Sequence, residues 1–255
     1  MREYYNASLN GAEFVSIDPR LYINDLEEQA KVAVETANRP RYGQTVVGQP
    51  ARDELTVEIR FMIKERDRTV RQGIIDKVNA WAAAPGWLQL STRPDKRLYV
   101  ICTQSANAAA HRWNEELRLA LTAYDVPYWQ ELYPVQASLT GNSGSVTLRP
   151  QGTRRGLLDA DIKNVSGSTV NTLYLTANGC TLAFTGLGMT NGQTLEISHD
   201  PRGLLCAQIG SAKKLICRTP GSDDDVPLAP MQDNTVTLVA DGKCEVTFYV
   251  RGEWE

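Results

Sequence analysis

Over "LTVEIRFMI", Leu55, Val57, Ile59, Phe61 and Ile63 alternate with Thr56, Glu58 and Arg60. This period of two predicts a half-buried strand. In "DRTVRQGIIDKVNAWAAAPG" the period lengthens: Val70, Ile74, Val78 and Trp81 fall four, four and three apart, Asp67 or Thr69 can cap the start, and Pro85-Gly86 closes the run. That pattern predicts one amphipathic helix. Strands are predicted for "WLQLS", "RLYVICTQSA" and "RWNEELRLALTAYDVPYW". Residues 30–37 fit either helix or strand. Val32 and Val34 alternate with charge, which favours a strand beside Leu55 to Ile63. Between them "NRPRYGQTVVGQPARD" holds two prolines and two glycines and reads as a long loop.

Beyond Trp129 the helical period disappears. Short alternating runs ("SVTLRP", "ADIKNVS", "NTLYLTA", "CTLAFTGL", "TLEIS", "KLICR") are punctuated by turn signals such as Asn178-Gly179 and Asn191-Gly192. The expectation is a two-domain, mainly β chain. Residues 1–134 form an α+β domain and residues 135–255 a β-sandwich of jelly-roll or galectin-like kind. In "DNTVTLVADGKCEVTFYV" a two-residue turn at Asp241-Gly242 would set Leu238 opposite Glu245. A three-residue loop, Ala240 to Gly242 with Gly242 left-handed, instead sets Leu238 against Cys244 and Val236 against Val246. The second register gives one apolar face, Val236, Leu238, Cys244, Val246, Phe248 and Val250, and is the expected hairpin.

Composition narrows the function more than the fold. The 255 residues can bury roughly 70–75% of the unfolded surface. A net charge of -3 gives no basic excess to draw the chain onto nucleic acid or anionic lipid. No apolar run approaches the roughly 18 residues of a membrane span. "MREYYNASLNGAEF" is polar where a signal peptide needs an apolar core, so synthesis in a cytosol is expected. The cysteines Cys102, Cys180, Cys206, Cys217 and Cys244 form no C-x-x-C pair, and His111 and His199 are the only histidines. The cysteines are therefore expected as small buried hydrophobes, with no metal and no cofactor.

No nucleophile elbow, phosphate-binding loop, dinucleotide fingerprint, H-E-x-x-H or EF-hand loop is present. His111, beside Trp113, reads as a half-exposed polar residue rather than a general base. Asp223-Asp224-Asp225 reads as a solvated loop tip. No pair of carboxylates stands out for glycoside hydrolysis, so no catalytic residue is assigned. "HDPRG", His199 to Gly203, resembles the sugar-contacting H-x-N-P-R of galectins, with the spacing one residue short and Asp200 in place of Asn. His199 and Arg202, with Trp254 as a stacking platform, are the candidate glycan-binding residues of an alternative reading, a carbohydrate-binding sandwich; Asp-Pro-x-Gly is equally an ordinary turn.

The order "NRPRYGQ", "DELTVEIRFMI", "VRQGIIDKVNAWAAAPG" and "TAYDVPYWQE" resembles the N-terminal domain of siphophage distal tail proteins, the Dit family. "GMTNGQTLEISHD" and "PLAPMQDNTVTLVADGKCEVTFYV" resemble that family's galectin-like C-terminal domain. Relatives commonly carry a Pro-Gly-x-Asn turn before the last strands, whereas Pro230 to Asn234 here lacks the glycine. The resemblance implies a tail-tube-like first domain and a structural, non-enzymatic role: a hexameric ring at the tail tip of the virion, in a phage or prophage, joining tail tube and tape-measure protein to the hub and receptor-binding proteins. Arg39, Arg41 and Arg52, on the loop Asn38 to Asp53, are the expected ring contacts, pairing with acidic groups such as Glu27 or Glu28 of a neighbour.

Overall fold

The computed structural model describes residues 5–34, 36–39, 43–46, 51–107 and 116–255. It divides into two units, Met1–Trp129 and Gln130–Glu255. Both are built of antiparallel sheet, and the described residues contain one α-helix.

The first unit contains β1 (Ala7–Leu9), β2 (Leu21–Ala33), β3 (Ala51–Ile63), α1 (Arg68–Trp81), β4 (Gly86–Leu90), β5 (Arg93–Gln104) and β6 (Leu117–Ala123). Their order across the sheet is β1-β4-β5-β6-β3-β2. All five alternating apolar residues of "LTVEIRFMI" are buried. Residues 30–33 are strand, with Ala30 opposite Leu55 as the alternation predicts. The long loop is not structureless: Thr36–Arg39 and Gly43–Val46 pair as a two-stranded ribbon, Arg39 opposite Gly43, and β3 already begins at Ala51.

Helix α1 starts where its cap predicts, with the Asp67 carboxylate accepting from the amides of Thr69 and Val70. Its buried stripe keeps Ile74 and Val78 of the expected face, adds Arg71 and Ile75, and leaves Trp81 half-buried and Val70 exposed. Phe14 packs edge-on against both Phe61 and Trp81, at 5.2 and 5.3 Å between ring centres.

The second unit contains β7 (Val135–Leu148), β8 (Gly156–Asn164), β9 (Leu173–Ala177), β10 (Cys180–Phe184), β11 (Thr194–His199), β12 (Leu205–Ile209) and β13 (Asn234–Val250). Their order is β10-β9-β13-β8-β11-β12, with β7 along the other side of β13. The expected hairpin at Asp241-Gly242 does not form. Residues 234–250 make one strand that runs against β7 throughout, from Leu148 opposite Asn234 to Val135 opposite Val250. A shift of register between Gly141 and Ser143 marks a bulge at residues 240–243 of β13. Before it β13 pairs with β9, and after it with β8. A bulge of this kind is how one strand turns the corner between two sheets of a sandwich.

The six apolar residues that suggested a hairpin all carry even numbers. Their alternation passes through Gly242 without a change of phase, which a continuous strand satisfies as well as a folded one. The structure buries all six on the face expected. Gly242 is not left-handed. It is glycine because a Cβ there would meet Val170 Cγ2 at 2.8 Å and the Ser166 Cβ at 3.1 Å. Asp241 turns back instead of turning the chain, and both its carboxylate oxygens accept from the Asn171 amide.

"KLICR" is likewise not a strand. Leu215–Cys217 is a 3-10 turn with Ile216 92% exposed, and the strand position beside β11 is taken by Leu205–Ile209. Asn178-Gly179 makes the expected tight turn, both residues at positive φ, between Ala177 and Cys180.

Candidate functional site

Of the expected ring contacts, Arg41 lies outside the described residues, and Arg39 is described only as backbone. Arg52 leaves the start of β3 and folds over its own unit, donating to the Pro127 carbonyl at 3.3 Å with its guanidinium 5.5 Å from the centre of the Tyr128 ring. The acidic groups expected to meet a neighbour's arginines are engaged at home. Glu27 pairs with Arg60. Glu28 receives both guanidinium arms of Arg93, at 2.8 and 3.1 Å, and the indole N–H of the buried Trp129 at 2.9 Å. Arg93 in turn covers the Trp129 ring.

His199 and Arg202 flank the β11–β12 turn but do different things. The Asp200 carboxylate accepts from the amides of Arg202 and Leu204 and from the Arg202 guanidinium, and Gly203 takes a positive φ: "HDPRG" is the ordinary turn that Asp-Pro-x-Gly predicts. The His199 ring points inward, 8% exposed, between two carboxylates. Nδ1 lies 2.8 Å from Asp159 Oδ1 of β8, and Nε2 lies 3.1 Å from Asp225 Oδ1. Burial presses hardest against a charge on this ring. The hydrogen bonds and negative fields of Asp159 and Asp225 outweigh it, and hold the ring's pKa above the ordinary 6.5. Trp254 is half-buried.

The aspartate run is not a free loop tip, because each residue has its own partner. Asp223 accepts from the Thr181 amide, Asp224 pairs with Arg218, and Asp225 meets His199. Among the described residues no cluster of His, Cys, Asp or Glu is arranged to hold a metal ion. Only Cys244 is fully buried, its thiol pushed up to about 11 by desolvation first and the nearby Asp241 charge second; the other four cysteines are half-buried rather than buried. His111 lies outside the described residues. No described helix is long and apolar enough to cross a membrane.

Two hollows mark the surface of the second unit. One is an open polar groove of about 500 Å³ along the outer sheet face, lined by Thr140, Asp161, Glu196, Glu245 and Tyr249 among others. The other is a depression of about 420 Å³ between the aliphatic Leu204, Leu205 and Leu215 and the charged Arg218, Asp224 and Asp225.

Sequence reasoning missed two buried asparagines that organise this unit. Asn234 donates to the carbonyls of Leu148, Ala229 and Gln232 and accepts from the Ala229 amide. Asn164 donates to Ser168 and Met189 and accepts from Ser166. An isolated Asn beside a strand reads as turn chemistry, and nothing local marks it as buried.

No family model and no curated protein matches the sequence. Solved structures do match the fold. The Dit protein of phage SPP1, described as a paradigm of the hub adsorption apparatus in phages infecting Gram-positive bacteria, superposes with a TM-score of 0.69 at 10% identity, over 98% of this chain and 99% of that one. A chain of the phage p2 baseplate in its activated conformation with strontium gives 0.52 at 6% identity, over 97% of each. The same baseplate with calcium gives 0.51 at 7% identity, over 99% of this chain and 98% of that one. The chain thus has the Dit-like fold along nearly its whole length.

Proposed function

We propose that the chain is a distal tail protein: a structural component of a phage or prophage virion, made in the host cytoplasm and placed at the tail tip. It forms a hexameric ring between the tail tube and tape-measure protein on one side and the hub and receptor-binding proteins on the other. The observation carrying this reading is the two-unit likeness to SPP1 Dit, which spans both chains almost completely and so includes the sandwich as well as the first domain. The chemistry of the charged groups is consistent with it. The conspicuous charged groups, Arg93 with Glu28 and His199 with Asp159 and Asp225, spend their hydrogen bonds on holding elements together. Ring closure needs a heterologous contact repeated by a closing rotation, and Arg39, Arg41 and Arg52 remain the proposed contributors from the first unit.

Light scattering on the purified chain, with negative-stain imaging, tests the ring. The expected species has six times the chain mass and an open lumen. A monomer that persists at high concentration, both alone and mixed with a tail-tube subunit from the same source, contradicts the proposal.

A further inference from the structure

The setting of His199 implies more than a structural tie. An ionised carboxylate can only accept hydrogen bonds, and a neutral imidazole has a single N–H to donate. Both ring nitrogens of His199 face carboxylate oxygens, at 2.8 and 3.1 Å, so satisfying both contacts requires the imidazolium. A ring that lost its proton would turn a lone pair toward one of the two.

The second carboxylate belongs to the segment that covers the edge of β10. Within that segment the Thr219 amide donates to Ala183 O and the Asp223 amide to Thr181 O, both at 2.9 Å. In return, the Thr181 amide donates to Asp223 Oδ2 at 2.6 Å and the Ala183 amide to Ser222 Oγ at 2.9 Å. The segment is anchored at one end by the Cys217 carbonyl, which accepts from Thr185, and at the other by buried Val226, whose carbonyl accepts from Leu158. Between those anchors, Asp225 ties it to His199 and Asp224 pairs with Arg218.

We propose that His199 is a proton-dependent latch: as the imidazolium it holds the segment Thr219–Asp225 down over the edge of β10, and loss of its proton loosens that segment. The charged groups around the ring are Asp159 from β8, Asp225 from the segment and Glu253 from the strand Glu253–Trp254. Arg251 acts on Asp159, and Arg154 on Glu253. Asp200, next in the chain, is occupied by Arg202. The sign follows from the raised pKa: the tie is fully made below the ring's ordinary 6.5 and is lost as pH rises through the higher folded value.

The test is amide hydrogen exchange of the full chain from pH 5.5 to 9, corrected for intrinsic exchange, alongside NMR titration of the imidazole. His199→Gln removes one of the two histidine signals and so assigns the other. The expected result is a ring that titrates above 6.5 and a drop of about tenfold in protection of the Thr181 and Ala183 amides across that same titration. Asp225→Asn, with the exchange of Leu195 and Ile197 as the folding control, is expected to show no step, because an asparagine amide can donate to the neutral ring and accept from the charged one. A ring that titrates below 6.5, wild-type protection that does not change with pH, or a step that survives in Asp225→Asn overturns the latch.

Discussion

Met231 sits at φ +58, the left-handed region that favours glycine. The turn keeps its shape here because its other contacts over-determine it: the Met231 amide donates to Pro150 O, and buried Asn234 gathers the carbonyls of Leu148, Ala229 and Gln232. A non-glycine residue pays a steric cost in that conformation, and the side chain, 51% exposed, recovers little by packing. Met231→Gly is therefore expected to stabilise the protein by about 0.5–1 kcal/mol, after glycine's extra freedom in the unfolded chain is set against the relief. Chemical denaturation of the two proteins side by side measures it. At this scale the sequence was legible only locally. "HDPRG" could be read as a turn, because Asp, Pro and Gly act on their own backbone. The partners of His199 could not, because Asp159 and Asp225 stand 40 and 26 residues away.

At the scale of elements, patterning worked wherever one face is buried and length is bounded by a cap. Helix α1 begins at its Asp67 cap, and β3 buries each alternate residue that the period marks. It failed on β13 for a physical reason: period two fixes which face is buried and is silent on whether the chain continues or reverses. Asp-Gly supplied a turn signal that the structure uses otherwise, Asp241 to hold the Asn171 amide and Gly242 to let Val170 and Ser166 approach. The two accounts of Gly242 differ in what alanine does. With no positive φ to strain, Gly242→Ala is expected to cost about 1–3 kcal/mol through the clash with Val170. Restoring room with Val170→Ala in the same chain should recover part of that loss in a denaturation series. No recovery would place the strain in the backbone and contradict the continuous strand.

At the scale of the whole molecule, the resemblance seen in the order of motifs and the likeness of fold agree, although only 10% of residues match SPP1 Dit. Such agreement at so low an identity is expected of a scaffold whose core asks for apolar residues at alternating positions rather than for particular side chains. The proposed role is tested by where the protein resides in an assembled particle. Phage particles produced from the genome that encodes this chain, purified and labelled with gold-conjugated antibody against it, decide the question by electron microscopy. Label concentrated at the tail end far from the head is the predicted result; intact tailed particles that carry none of the protein would contradict it.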